Sequence, residues 1–261
     1  MTRWRTISKK LREVRALLRL IQTEFLKLRR RKLIWIMLLA ALMMPFLALL
    51  YFKYLGKTDV DPMEFYRWAA FGFTVFIILP VVLGILCTML MYEETRYDTA
   101  KQLWIVPVSQ MGYFFSKFFV VLIYAVTFML ITAAATVLCG VPTGIIGFNW
   151  SSILFLLERC MELGAIISFA MLPILAVAAC TKGYILPACL TIVYAFAGFI
   201  LTPVNMYLHP LSSMLPILLR NKEMQGLTFT QDFRILPAVL CFCVWDLAAV
   251  VFVNVVLSRR K

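Results

Sequence analysis

The sequence predicts an all-α integral membrane protein: six transmembrane helices, both termini cytoplasmic, and an amphipathic interfacial (elbow) helix before the first span. Three observations carry that expectation. The 261 residues are 63% hydrophobic and only 15% charged, whereas soluble domains are about 45–50% apolar and about 25% charged. The apolar residues fall in contiguous runs, six of which reach the ~20 residues a helix needs to cross about 30 Å of hydrocarbon. The 26 lysines and arginines are shared very unequally among the segments between those runs.

The runs cover 33–52, 68–91, 113–138, 153–180, 185–203 and 235–257. No water satisfies the backbone in lipid, so each is expected to be a helix. Pro45, Pro80, Pro173 and Pro187 lie within or at the ends of runs and predict kinks there. Only Cys180-Thr-Lys-Gly-Tyr184 separates the fourth run from the fifth. The first run follows a long basic stretch without a small-residue cleavage site, which predicts a retained span and not a removed signal peptide.

Residues 1–32 are expected to form a cytoplasmic, amphipathic basic segment, 33–257 a single six-span domain, and 258–261 a cytoplasmic tail. The net charge is +13, and 12 of the 26 bases lie between Arg3 and Lys32, directly before the first run. That placement suits anionic lipid headgroups and control of topology, and it argues against nucleic acid. On one side the connecting segments and termini hold 19 bases, on the other 7, so both termini and the 92–117 segment are expected in the cytoplasm. Within 11–28, Leu11, Val14, Leu17, Leu18, Ile21, Phe25 and Leu28 share one arc of a helix. Arg12, Arg15, Arg19, Gln22, Glu24 and Lys27 take the other, the pattern of a helix lying among headgroups.

The remaining sites are quieter. Seven scattered cysteines have no metal-ligand spacing, and Cys241 and Cys243 point to different helix faces, so they are read as small apolar residues. The longest outer segment, 204–234, carries Pro203 just before it, Pro210, Pro216 and the single histidine, His209. Its apolar residues predict a re-entrant or interfacial element, with His209 structural and no metal site.

Between the second and third runs the chain makes one short cytoplasmic excursion. Glu93, Glu94 and Asp98 precede Lys101, an arrangement that complements the dipole of a helix start. Pro107 then stops or bends it. Leu103, Trp104, Ile105, Val106 and Val108 are too apolar for an idle solvated loop, so the 92–112 loop is expected to dock onto something.

These residues resemble a known family. The stretch Glu24-Phe-Leu-Lys-Leu-Arg-Arg-Arg-Lys32 is followed, after two runs, by Glu94-x4-Thr99-x-Lys101-x-Leu103-x3-Pro107-Val108-Ser109-x7-Lys117. The pattern is similar to the type-2 ABC-exporter permeases, most of all the small bacterial permeases that protect against lantibiotics and bacitracin-like peptides. The family usually has glycine before the threonine, where this chain has Asp98.

The resemblance implies that 92–112 is a coupling loop seated in a groove of a separate ATP-binding subunit. The apolar Leu103–Val108 segment, Pro107 included, would fill the groove, Glu94, Lys101 and Ser109 would make polar contacts at its rim, and Thr99 belongs to the same interface. It also implies two copies of that subunit binding MgATP, a second permease (identical or paralogous), export of an amphipathic peptide or drug, and location in the bacterial plasma membrane. The chain itself has no phosphate-binding Gly-x4-Gly-Lys-Ser/Thr loop. It is therefore expected to hold no cofactor and to be no enzyme.

Two alternatives stay open. The same fold could export sodium ion, a small drug or a lipid-linked compound. A membrane-embedded enzyme would need a Ser/His or Cys/His pair or clustered acids, yet there is one histidine, and the acids within runs are Glu158, Glu162 and Asp246. Intramembrane acids are costly and usually face protein or water. These three are the candidates for a transport pathway: Asp246 midway along the sixth run, and Glu158 and Glu162 one turn apart beside Arg159.

Overall fold

The computed structural model describes residue 18 and residues 21–56, 59–96, 110–218 and 234–258. Among them, six helical stretches are long and apolar enough to cross a membrane: Lys32–Tyr54, Pro62–Glu93, Met111–Gly140, Trp150–Cys180, Ile185–Val204 and Ile235–Val256. These are the six expected spans, with their ends moved by a few residues. The second starts earliest relative to expectation, at Pro62 and not near 68. Pro62 opens its first turn and Glu64 lies within it, a start favoured by the fixed proline φ and by the helix dipole. The polar residues that made 62–67 read as a loop are thus a helix start.

Each proline leaves a local mark. The first span tightens to a 3-10 turn at Ala40–Leu42 just before Pro45. Pro45 has no N–H to give the carbonyl of Ala41, four residues back, and the Thr132 hydroxyl of the third span donates to that oxygen at 3.3 Å. In the second span, π-helical turns at Arg67–Phe71 and Thr74–Ile78 flank Gly72 and precede Pro80, widening the helix where regular bonding is interrupted. The fourth span breaks at Met171, and its lower half, Leu172–Cys180, restarts with Pro173 in the first turn. Beside the break the Tyr194 hydroxyl donates to the Ala170 carbonyl at 2.6 Å.

The third and fourth spans pack most extensively, with Gly164 against the backbone of Val126, where a Cβ would lie 2.9 Å from that Cα. The second and fifth meet at Gly84, opposite Thr191. Small residues at crossings let backbones approach closely, which is what drives helix association in lipid. The lower half of the fourth span contacts the second and sixth spans, while its upper half stays with the third. Many large apolar side chains of the first, fifth and sixth spans are left exposed, as suits lipid-facing surface.

The 204–234 segment begins with a short helix that turns back against the bundle. Helix Pro210–Leu218 is almost wholly buried against the fourth, fifth and sixth spans. Its N-terminal turn is secured by Ser212 and Ser213, whose hydroxyls donate to the Met206 carbonyl at 3.1 and 2.9 Å. The His209 ring lies 4.2 Å from the Tyr194 ring, and its Nδ1 accepts the Leu211 N–H at 3.2 Å, which requires that nitrogen unprotonated.

Burial lowers the His209 pKa to about 4. The unfolded chain takes up this proton near 6.5, so between these pH values the unfolded state binds more protons and stability falls as pH falls. Lowering pH from 7 to 5 is expected to cost on the order of 2 kcal/mol, read as a drop in thermal midpoint in detergent. His209→Gln keeps an acceptor without the titration and should flatten that step. Equal pH slopes in both proteins would assign the step to other groups.

Candidate functional site

Residues 1–17, 19–20, 57–58, the 97–109 part of the 92–112 loop, 219–233 and 259–261 lie outside the described residues. Of the loop positions singled out above, Thr99, Lys101, Leu103, Pro107, Val108 and Ser109 fall there, and so does the side chain of Glu94. What the structure does describe is the frame that holds them. The second span continues as helix to Arg96 and the third begins at Gln110. The two ends lie side by side, with the Tyr113 hydroxyl 3.8 Å from the Met91 sulfur.

A helix over 21–29 docks at this same end. Its inward face is Ile21, Glu24, Phe25 and Leu28, spaced i, i+3, i+4, i+7 as a helix stripe requires. Glu24 was expected on the polar side and is instead buried. The reason lies in the third span: Lys117 is 1% exposed and its Nζ lies 2.5 Å from Glu24 Oε2. Lys27 reaches the other carboxylate oxygen at 2.8 Å, and the Lys117 ammonium stands 5.3 Å from the centre of the Tyr113 ring. One turn beyond this helix, Arg31 is ion-paired with Glu93 at the foot of the second span. Tyr92 packs edge-on against Tyr184, so the junction between the fourth and fifth spans belongs to this end too.

The arrangement joins both motif segments, 24–32 and 94–117, through buried charge. A buried pair holds only if both members stay, because removing one strands the other in an apolar site. The first basic helix and the feet of the two spans that bracket 97–109 are thereby tied into one piece. The pairing was not read from sequence, although one signal was available. Lys117 interrupts the apolar stretch Tyr113-Phe-Phe-Ser-Lys-Phe-Phe119, and a cation there needs an anion from elsewhere in the chain.

The three intraspan acids are not brought together. Glu162 pairs with Arg159 at 2.7 Å, the Arg159 guanidinium also lying 5.3 Å from the Phe155 ring centre. Glu158 is exposed. Asp246, on the sixth span, lines an apolar cavity of about 650 Å³ beside the third and fourth spans and helix Pro210–Leu218.

The comparison with known families agrees with this frame. The family model described as ABC-2 family transporter protein matches residues 20–198, which is more than half of the chain and begins at the docked basic helix. The chain belongs to this family. It is a multi-pass ABC-2 permease, the transmembrane subunit of an ABC transporter, and membership implies an ABC ATP-binding partner. Among curated proteins no relative matches it. The match covers the Glu24–Lys117 and Arg31–Glu93 pairs and the whole 92–112 loop, and it stops before helix Pro210–Leu218 and Asp246.

Proposed function

We propose that this ABC-2 permease is the membrane half of an ATP-driven exporter that removes amphipathic antimicrobial peptides, of lantibiotic or bacitracin type, from a bacterial plasma membrane. Two ATP-binding subunits bind MgATP, and a second permease, identical or paralogous, completes the pathway. The single observation that carries the coupling part of this reading is the buried Glu24–Lys117 pair. It fixes the foot of the third span to the basic helix, as Arg31–Glu93 does that of the second, and the apolar 103–108 segment between those spans in the sequence would seat in the ATPase groove. The cargo reading is supported by the apolar lining of the cavity, which suits an amphipath better than a bare ion such as sodium.

The test is co-purification. Lys101→Glu combined with Leu103→Asp places charge against an apolar groove, and disrupting such a hot spot costs about 2–4 kcal/mol. The double variant should lose its ATP-binding partner in detergent while reaching the membrane at normal level. Retention of the partner with full ATP turnover would remove the loop from the coupling role. Cargo is read separately, as protection of cells against a panel of cell-wall-active peptides.

A further inference from the structure

We propose that the turn between the fourth and fifth spans, residues 181–184, is a second seat for the ATP-binding subunit, taking an acidic edge of that subunit beside the 92–112 loop. Tyr184 packs edge-on against Tyr92 at the foot of the second span, with ring centres 5.8 Å apart. Arg96, where the described helix of that span ends, is about one turn further along, and the 97–109 segment leaves from it. The second span is the most enclosed of the six. Its foot, and the ring packed on it, therefore stand toward the middle of the cytoplasmic end. A subunit seated on the loop has this turn within reach.

The level of the turn follows from its neighbours. Ile185 and Leu186 open the fifth span and are 77% and 54% exposed, as suits contact with acyl chains. Residues 182–184 precede them and so lie on the water side. The Thr181 hydroxyl donates to the Ala178 carbonyl at 3.3 Å, and Thr181 itself is extended, which closes the fourth span. Lys182 and Gly183 are exposed. A Cβ added at Gly183 meets no atom of the described residues within 4 Å.

The turn thus offers one ammonium, an open stretch of backbone and part of one tyrosine ring. Tyrosine combines an apolar face with a hydroxyl that hydrogen-bonds, which is why it is enriched at interfaces. An opposite charge across the rim sets orientation and speeds encounter. Lipid headgroups are the rival occupant for a lysine and a tyrosine at this level, but the position of the turn against the most enclosed span favours the subunit. The turn also ends the lower half of the fourth span, Leu172–Cys180, which packs on the second and sixth spans. A subunit holding both the turn and the loop would grip the same group of helices at two points.

This seat rests on the coupling reading above, and its test separates the two. The permease is co-expressed with its ATP-binding subunit, and p-benzoylphenylalanine replaces Gly183, Trp104 or Gly147, one per variant. Gly183 and Gly147 both open on free space among the described residues, and Gly147 lies between the third and fourth spans, at the opposite membrane face. After illumination of the membranes, the probe at 183 is expected to form an adduct with the ATP-binding subunit, and the probe at 147 none. An adduct from 104 without one from 183 would overturn the second seat and leave the loop in its role. An adduct from 183 without one from 104 would keep the seat and remove the loop. Adducts from 183 confined to lipid, or to this chain's own 97–109 segment, would overturn the seat. Lys182→Glu should weaken capture of the subunit about two- to fivefold at low salt and less at high salt, as an exposed charge pair warrants. Capture unchanged at low salt would overturn the acidic edge.

Discussion

Lys117→Met is expected to destabilise the permease by about 3 kcal/mol, because it leaves a buried carboxylate with half of its neutralisation. Among the described residues Glu24 would keep Lys27, whose side chain is half exposed and so partly screened by water. The loss should appear as a lowered unfolding midpoint in detergent and as protease access to the basic helix. Glu24→Leu together with Lys117→Met replaces the pair by apolar contact, and such replacements are often near neutral. Most of the stability should then return. A Lys117→Met protein as stable as the unaltered chain would show that the pair does not anchor the helix.

A comparable loss is expected from Gly84→Ala. The added Cβ would lie 2.0 Å from Cγ2 and 2.3 Å from Oγ1 of Thr191, so the second and fifth spans must separate or Thr191 must change rotamer. Rotation is opposed by the hydrogen bond that its hydroxyl donates to the Pro187 carbonyl at 2.8 Å. Overpacking of this kind costs about 1–3 kcal/mol. Adding Thr191→Ala removes the two closest atoms but leaves its Cβ 2.7 Å away, so rescue should be partial. Full stability in Gly84→Ala alone would mean that the crossing is looser than the distances indicate.

The span layout was legible because lipid imposes a one-dimensional rule: about 20 apolar residues in a row, readable without knowing what packs against them. The four residues after Cys180 were enough to divide the fourth and fifth spans for the same reason. The early start at Pro62 was hidden because capping geometry tolerates polar residues that a hydropathy window rejects. Glu24 was misplaced because helix periodicity sorts residues by polarity, whereas its position is decided by Lys117, 93 residues away. Asp246 was legible as a costly acid. That its Oδ1 finds no hydrogen-bond partner among the described residues was not, since that depends on how the spans pack around it.

The interruption at Met171 gives the bundle a seam. Above it the fourth span packs chiefly on the third; below it, on the second and sixth. A helix ordinarily resists bending because each turn gives up main-chain bonds, but at this level one bond is already missing, since Pro173 has no amide hydrogen for the Phe169 carbonyl. Bending there is correspondingly cheap, and the hinge-like sites of larger rearrangements are of this kind. Under the coupling proposed above, force arriving at the feet of the second and third spans would tilt the lower block against the upper one. The cavity lined by Phe169 and Leu172, one on each side of the seam, would change shape with every such tilt.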